Sequence, residues 1–308
     1  MSGAFQVVCV AGLAREALVR AAAGRVLNVF DSAAYLETDG DDIVAVTGSD
    51  LPRGPFTLTL PGTIPFPEVL RPGEPLTISP ESIQSSRTTL LLSTAETWEA
   101  RPRWELLSVH PPAVLASVLR MEAILNRCAP PDSLAALLPG SDPPTSPMAS
   151  LILDQARGRA DAFCRALGAC GREGTELSSA SIEDLRLKSA ALAGLGGGFT
   201  PAGDDFLLGA IYALWATCAV PTALPLVEAI AAGATPHTTK VSAAYLRAGS
   251  SGAAGEAWHR LVDALADANE GNLETSLRHI SRTGHTSGAD ALAGFVLALE
   301  ALRRLPAA

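Results

Sequence analysis

Pro139-Gly-Ser-Asp-Pro-Pro-Thr-Ser-Pro147 separates two kinds of sequence. Residues 1–150 hold 17 of the 22 prolines, and residues 151–308 hold the other 5. Proline breaks helix interiors but is tolerated in turns and at strand edges, so the two sides should differ in class. Upstream, the runs Val26–Phe30, Ile43–Thr47, Phe56–Leu60, Leu76–Ile78 and Thr88–Leu92 are β-branched or alternating. Turn signals separate them: Asp39-Gly40-Asp41-Asp42, Pro61-Gly62 and Arg71-Pro72-Gly73. This predicts a β-rich domain over 1–110, for which a small barrel is one form. Residues 111–147 read as an amphipathic helix, Ala113–Cys128, followed by the Pro-rich linker. Downstream the apolar period becomes helical, with helices near 148–168, 181–193, 203–218, 222–233, 238–249, 253–268, 272–281 and 288–304. Gly171, Gly233 and Gly249 serve as stops. The expected fold class is α+β: a β-rich N-terminal domain, then an all-helical C-terminal domain over 148–308 carrying the motifs.

The 308 residues are 48% hydrophobic and 18% charged, enough for a sizeable core and too apolar for disorder. A formal charge of -9 argues against nucleic-acid binding, which needs a basic face toward phosphates. The longest apolar stretch, Phe206–Val220, falls short of the roughly 18–20 residues that span a bilayer, so it reads as a core helix. The start, Met1 to Val10, lacks the basic and apolar regions of a signal peptide. The 5 cysteines are odd in number and form no C-x-x-C, which fits reduced thiols and a cytoplasmic location.

The most unusual segment is Gly194-Leu-Gly-Gly-Gly-Phe-Thr-Pro-Ala-Gly-Asp-Asp205-Phe-Leu-Leu-Gly209. Gly196, Gly197 and Gly198 permit left-handed backbone and close approach by a ligand. Thr200 reads as an N-cap with Pro201 at the first helical position, and a helix start favours an anion. Asp204 and Asp205 follow in the first turn, where they either cap the helix, hold a divalent cation or position a substrate amide. The plainer alternative is a flexible turn with dipole-favoured acids.

A second segment, Gly284-His-Thr-Ser-Gly-Ala-Asp290-Ala-Leu-Ala-Gly294, echoes the first. Both contain G-x-D-x-x-x-G, so Gly203, Asp205 and Gly209 correspond to Gly288, Asp290 and Gly294, and Thr200 corresponds to His285. In each, the Asp and the last Gly share a helical face. The echo predicts two helix N-termini converging on one pocket and crossing near the glycines. Ser287 and Asp290 also have capping-box spacing. His285, inside a glycine-rich helix entry, is the acid/base candidate among the 5 histidines. A third helix entry, Thr235 to Ser242, offers Thr239 and Ser242 on one face, either as helix caps or toward the same pocket, with Glu256 as a neighbour. No zinc spacing, phosphate-binding P-loop or nucleophile elbow occurs. The two lysines, Lys188 and Lys240, have no phosphate-loop context.

With these residues in view, the chain resembles the AllH-type family. Its G-x-G-x-G-[LF]-T-P-x-G-D-D-x-L-x-G segment is present from Gly194 to Gly209, its T-x-x-S from Thr239 to Ser242, and its G-H-x-S-G-x-D from Gly284 to Asp290. Phe199 and Ala202 stand where the family often has Leu and Ser. The resemblance implies a subunit of oxamate carbamoyltransferase, from anaerobic allantoin and purine catabolism. It would work with an acyl-CoA-synthetase-like subunit and a third subunit. Carbamoyl phosphate or oxamate would then lie on Gly196, Gly197, Gly198 and Thr200, with Asp204, Thr239, Ser242 and Ser287 completing the binding set. Asp205, Asp290 and His285 would be catalytic, and Asp204, Asp205 and Asp290 would be the ligands of an optional Mg²⁺. The competing expectation is a non-catalytic docking or regulatory subunit of a multi-subunit ligase or transferase.

Overall fold

A computed structural model describes residues 3–170 and 177–303. They group into two compact units. The first contains the described residues up to Pro102 together with Ala253–Glu256; the second contains Arg103–Gly252 and the described residues from Ala257 onward.

The first unit is a ten-stranded sheet curled into a half-barrel. Its strands are β1 (Gly3–Gln6), β2 (Cys9–Ala11), β3 (Ala23–Val29), β4 (Ala33–Thr38), β5 (Ile43–Gly48), β6 (Thr57–Leu60), β7 (Pro75–Ile78), β8 (Ser82–Gln84), β9 (Thr88–Leu91) and β10 (Glu96–Trp98). Their spatial order is β1-β9-β8-β7-β3-β4-β5-β6-β2-β10, so the short β1 and β10 end the sheet. Every strand expected from the sequence is present. β5 is buried along its whole length, as its β-branched composition demands. β4 was not legible, because Ala-Ala-Tyr-Leu-Glu-Thr has little strand character. It forms because β3 and β5 supply ladder partners on both sides. The unit also holds helix α1 (Gly12–Arg20), which buries Ala14, Ala17 and Leu18, and the single turn α2 (Phe66–Val69).

The second unit is helical. The expected single helix over Ala113–Cys128 is two, α4 (Pro111–Ala116) and α5 (Val118–Cys128), after the short α3 (Glu105–Ser108). A 3-10 turn, Leu134–Leu137, precedes the exposed proline-rich loop. The remaining helices are α6 (Pro147–Cys170), α7 (Ser179–Leu192), α8 (Ala202–Thr217), α9 (Val220–Ala234), α10 (Lys240–Ser250), α11 (Glu256–Ala266), α12 (Glu270–Ser281) and α13 (Ser287–Arg303). They follow the periodicity closely. The glycine stops do not hold: Gly233 and Gly249 lie inside α9 and α10. A Cβ on Gly233 would overlap the Arg186 carbonyl, and one on Gly249 would stand 2.5 Å from Leu208. These glycines serve helix approach, not termination. Gly171 and Arg304, the expected stop and last helical position, lie outside the described residues.

α8 is the centre of this unit, buried from Gly203 to Ala216. Tyr212 stacks on Trp104 and meets Trp258, which in turn packs edge-on to Phe295 of α13. Among the described residues no helix is long and apolar enough to cross a membrane. All five cysteines are free thiols.

Candidate functional site

The echoed segments meet. A Cβ on Gly209 would overlap the Ala291 carbonyl oxygen and stand 2.8 Å from the Phe295 nitrogen. A Cβ on Gly294 would overlap the Phe206 carbonyl oxygen and stand 2.9 Å from the Phe206 Cα. Phe206 and Ala291 are themselves equivalent positions of the echo, so α8 and α13 cross about a local pseudo-two-fold axis. Gly203 and Gly288 repeat the relationship one layer out, abutting the carbonyls of Leu192 at the end of α7 and Ile280 of α12.

This crossing brings the two helix entries together. The Thr200 and Ser287 hydroxyls lie 2.8 Å apart, although 87 positions separate them in sequence. Both are within hydrogen-bonding reach of the Asp205 carboxyl. Asp290, from the other helix, accepts the Leu134 N–H at 2.6 Å through Oδ1, with the Thr286 hydroxyl also in reach. The remaining oxygen of each acid, Asp205 Oδ2 and Asp290 Oδ2, is buried without a hydrogen-bond partner. Leaving a buried carboxylate oxygen unpaired is costly, so a proton is the economical way to fill such a gap. Burial is the main force lifting Asp290 to about 7. It also lifts Asp205 well above the usual carboxylate range, and the neighbouring Asp290 charge adds to that rise. The two acids therefore hold protons in a range where an ordinary aspartate has none.

Asp204 belongs elsewhere. Successive helical residues point about 100° apart, and Asp204 faces the entry of α10 instead of α13. Its carboxyl accepts the Gly194 N–H at 2.9 Å and the Thr238 hydroxyl, with the Ser242 hydroxyl in reach. Burial raises its pKa and these bonds oppose the rise. Asp204 thus ties the glycine loop to α10. Thr239 acts as the helix cap, accepting the Ser242 N–H at 3.1 Å while donating to the Phe199 carbonyl at 2.6 Å. The structure does not bring Asp204 to the other two acids. Among the described residues, no group of three or more His, Cys, Asp or Glu side chains is disposed to hold a metal ion.

The glycine loop is left-handed at Gly194, Gly196 and Gly198, with φ of 70°, 110° and 91°. Gly196 also packs against the start of α8: a Cβ there would stand 2.9 Å from the Ala202 nitrogen. A Cβ on Gly197 or Gly198 would meet nothing within 4 Å. Gly196, Gly197 and Thr200 form one wall of a cavity of about 80 Å³, whose other walls include Ser133, Leu134 and Thr286. Thr200 and Leu134 each contact one of the acids, so the cavity lies one residue from both carboxyls. Ile152 and Leu153 make its far side apolar.

Some expected roles are not assembled. Pro201, not Thr200, caps α8, and it offers no side-chain bond. Ser287 and Asp290 form no reciprocal box, because Thr200 and Leu134 are their partners. His285 is exposed and does not line the cavity. Glu256 pairs with Arg53 at 3.1 Å in the first unit, not with Thr239 or Ser242. Conversely, Leu134, Thr286 and Thr238 were missed. Leu134 contributes only a backbone N–H, for which sequence carries no signal. Thr286 and Thr238 each neighbour a residue already singled out, and which hydroxyl faces inward depends on the helix start.

Residues 192–299 match the family model described as oxamate carbamoyltransferase subunit AllH. The matched stretch runs from the end of α7 to within α13, so it contains both helix entries and the α10 entry between them. The resemblance drawn from the three motifs is borne out over this stretch. No curated protein and no solved structure matches the chain.

Proposed function

We propose that the chain is a subunit of a carbamoyltransferase-type enzyme that binds a small anionic substrate, such as carbamoyl phosphate or oxamate, at the entry of α8. The observation that carries this reading is the pair of buried, unpartnered oxygens on Asp205 and Asp290 beside the glycine-walled cavity. The first N–H groups of a helix have no acceptors within it, and its positive end favours an anion. A charged carboxylate pair would repel that anion; protonated carboxyls remove the repulsion, and Thr200, in reach of Asp205, presents its hydroxyl to the cavity. In this reading Asp290 and Asp205 act as a proton-holding pair, Thr200 and Ser287 orient Asp205, and Gly196 to Gly198 leave room for the ligand. The match to a family described as a subunit supports partner subunits as part of the working enzyme.

The test is thermal melting of the chain with oxamate or carbamoyl phosphate, followed by turnover measured with and without candidate partner subunits. Ligand linkage should raise the melting midpoint of wild type, and Gly197→Val should abolish the rise by filling the cavity. Turnover that appears only in the assembled complex and survives Asp205→Asn would favour the docking or regulatory role instead.

A further inference from the structure

We propose that the outward face of α6 is the contact through which two copies of this chain pair, the helices crossing antiparallel about a two-fold axis beside Gly158. α6 is 24 residues long and buries one stripe that includes Leu153, Ala156, Ala160, Phe163 and Leu167. The face beside it exposes Asp154, Arg157, Asp161 and Arg165, the last three along the groove against α13. Two intervals, Arg157 to Asp161 and Asp161 to Arg165, have the i,i+4 spacing of helical ion pairs. Yet none of these four side chains pairs with a described residue.

Turned end to end against itself, this face is complementary in charge. Asp154 and Arg165 are centred on the same point of the helix as Arg157 and Asp161, between 159 and 160 to within half a residue. A second copy placed antiparallel about that point sets its Arg165 opposite Asp154 and its Asp161 opposite Arg157. A two-fold contact then makes each pair twice. Gly158 keeps the crossing point low, since even a Cβ there would meet nothing within 4 Å of its own chain.

The ends of the helix agree with this register. Met148 and Leu151 are 66% and 53% exposed, costly apolar surface for an isolated chain. The same register carries Leu151 of one copy to Gly168 of the other. Gly168, with Ala169, Leu297 and Ala301, lines the apolar part of a cavity of about 600 Å³ between α6 and α13, whose other walls include Arg157, Asp161, Arg165 and Glu300. The pairing that matches the charges thus brings the exposed Leu151 of one copy to the Gly168–Ala169 end of this cavity on the other, while Arg157, Asp161 and Arg165 along the cavity meet the partner's charges.

Sedimentation equilibrium of the full chain tests this. Wild type should be a dimer. Asp154→Arg, which sets arginine against arginine twice, should weaken association by about tenfold or more. The double variant Asp154→Arg with Arg165→Asp should restore wild-type association, with helical content by circular dichroism unchanged throughout. A monomeric wild type at about 100 µM, far above the micromolar range of specific contacts, would overturn the proposal. So would a dimer indifferent to Asp154→Arg, or a double variant no tighter than the single.

Discussion

Gly294 of α13 lies so close to Phe206 of α8 that a Cβ on the glycine would overlap the phenylalanine carbonyl oxygen. Gly209 stands in the same relation to Ala291. Backbone cannot move aside as a side-chain tip can, so a larger residue at either position must push the helices apart. Gly209→Val and Gly294→Val should each cost about 3 kcal/mol or more, at the upper end of overpacking penalties. Urea denaturation reads this directly, and a loss below about 1 kcal/mol would mean that the crossing is loose.

The acid pair makes stability depend on pH in an unusual direction. Asp290 titrates near 7 in the folded chain, against an ordinary aspartate value near 4 when unfolded. Between those values the folded state binds the extra proton, so its contribution is complete at low pH and is lost as pH rises through about 7. Asp290→Asn should flatten that part of the stability profile, as followed by chemical denaturation across pH. A profile parallel to wild type would place the titration elsewhere.

Neighbouring acids should behave oppositely on substitution. Asp204→Ala removes the acceptor of the Gly194 N–H and the Thr238 hydroxyl, and should destabilise by about 1–3 kcal/mol. Asp205→Asn keeps the shape while removing a group that is costly to ionise, so its stability should match or exceed wild type. Its ligand response should nonetheless be lost, which melting with and without oxamate would show.

Thr200→Val deletes the 2.8 Å contact with Ser287 and one of the bonds that restrain Asp205. Isothermal titration should show oxamate binding weakened by about fivefold, the scale of one hydrogen bond between neutral groups. His285→Ala, at an exposed position outside the cavity, should leave that binding unchanged.

The proline distribution and the change of apolar period determined the order of the two classes, because both act through local backbone geometry. The repeated G-x-D-x-x-x-G likewise determined that two helices would cross at their glycines, since a missing Cβ in an apolar helix chiefly serves close approach. What Asp204, Asp205 and Asp290 do was decided only by the tertiary structure. Adjacent residues on one helix turn toward different neighbours, so Asp204 met the α10 entry while Asp205 met α13. Ser287 and Asp290, spaced for a local capping box, took partners from α8's entry and from Leu134 instead. Spacing along a chain lists the partners a polar side chain can reach; only packing decides which of them arrives.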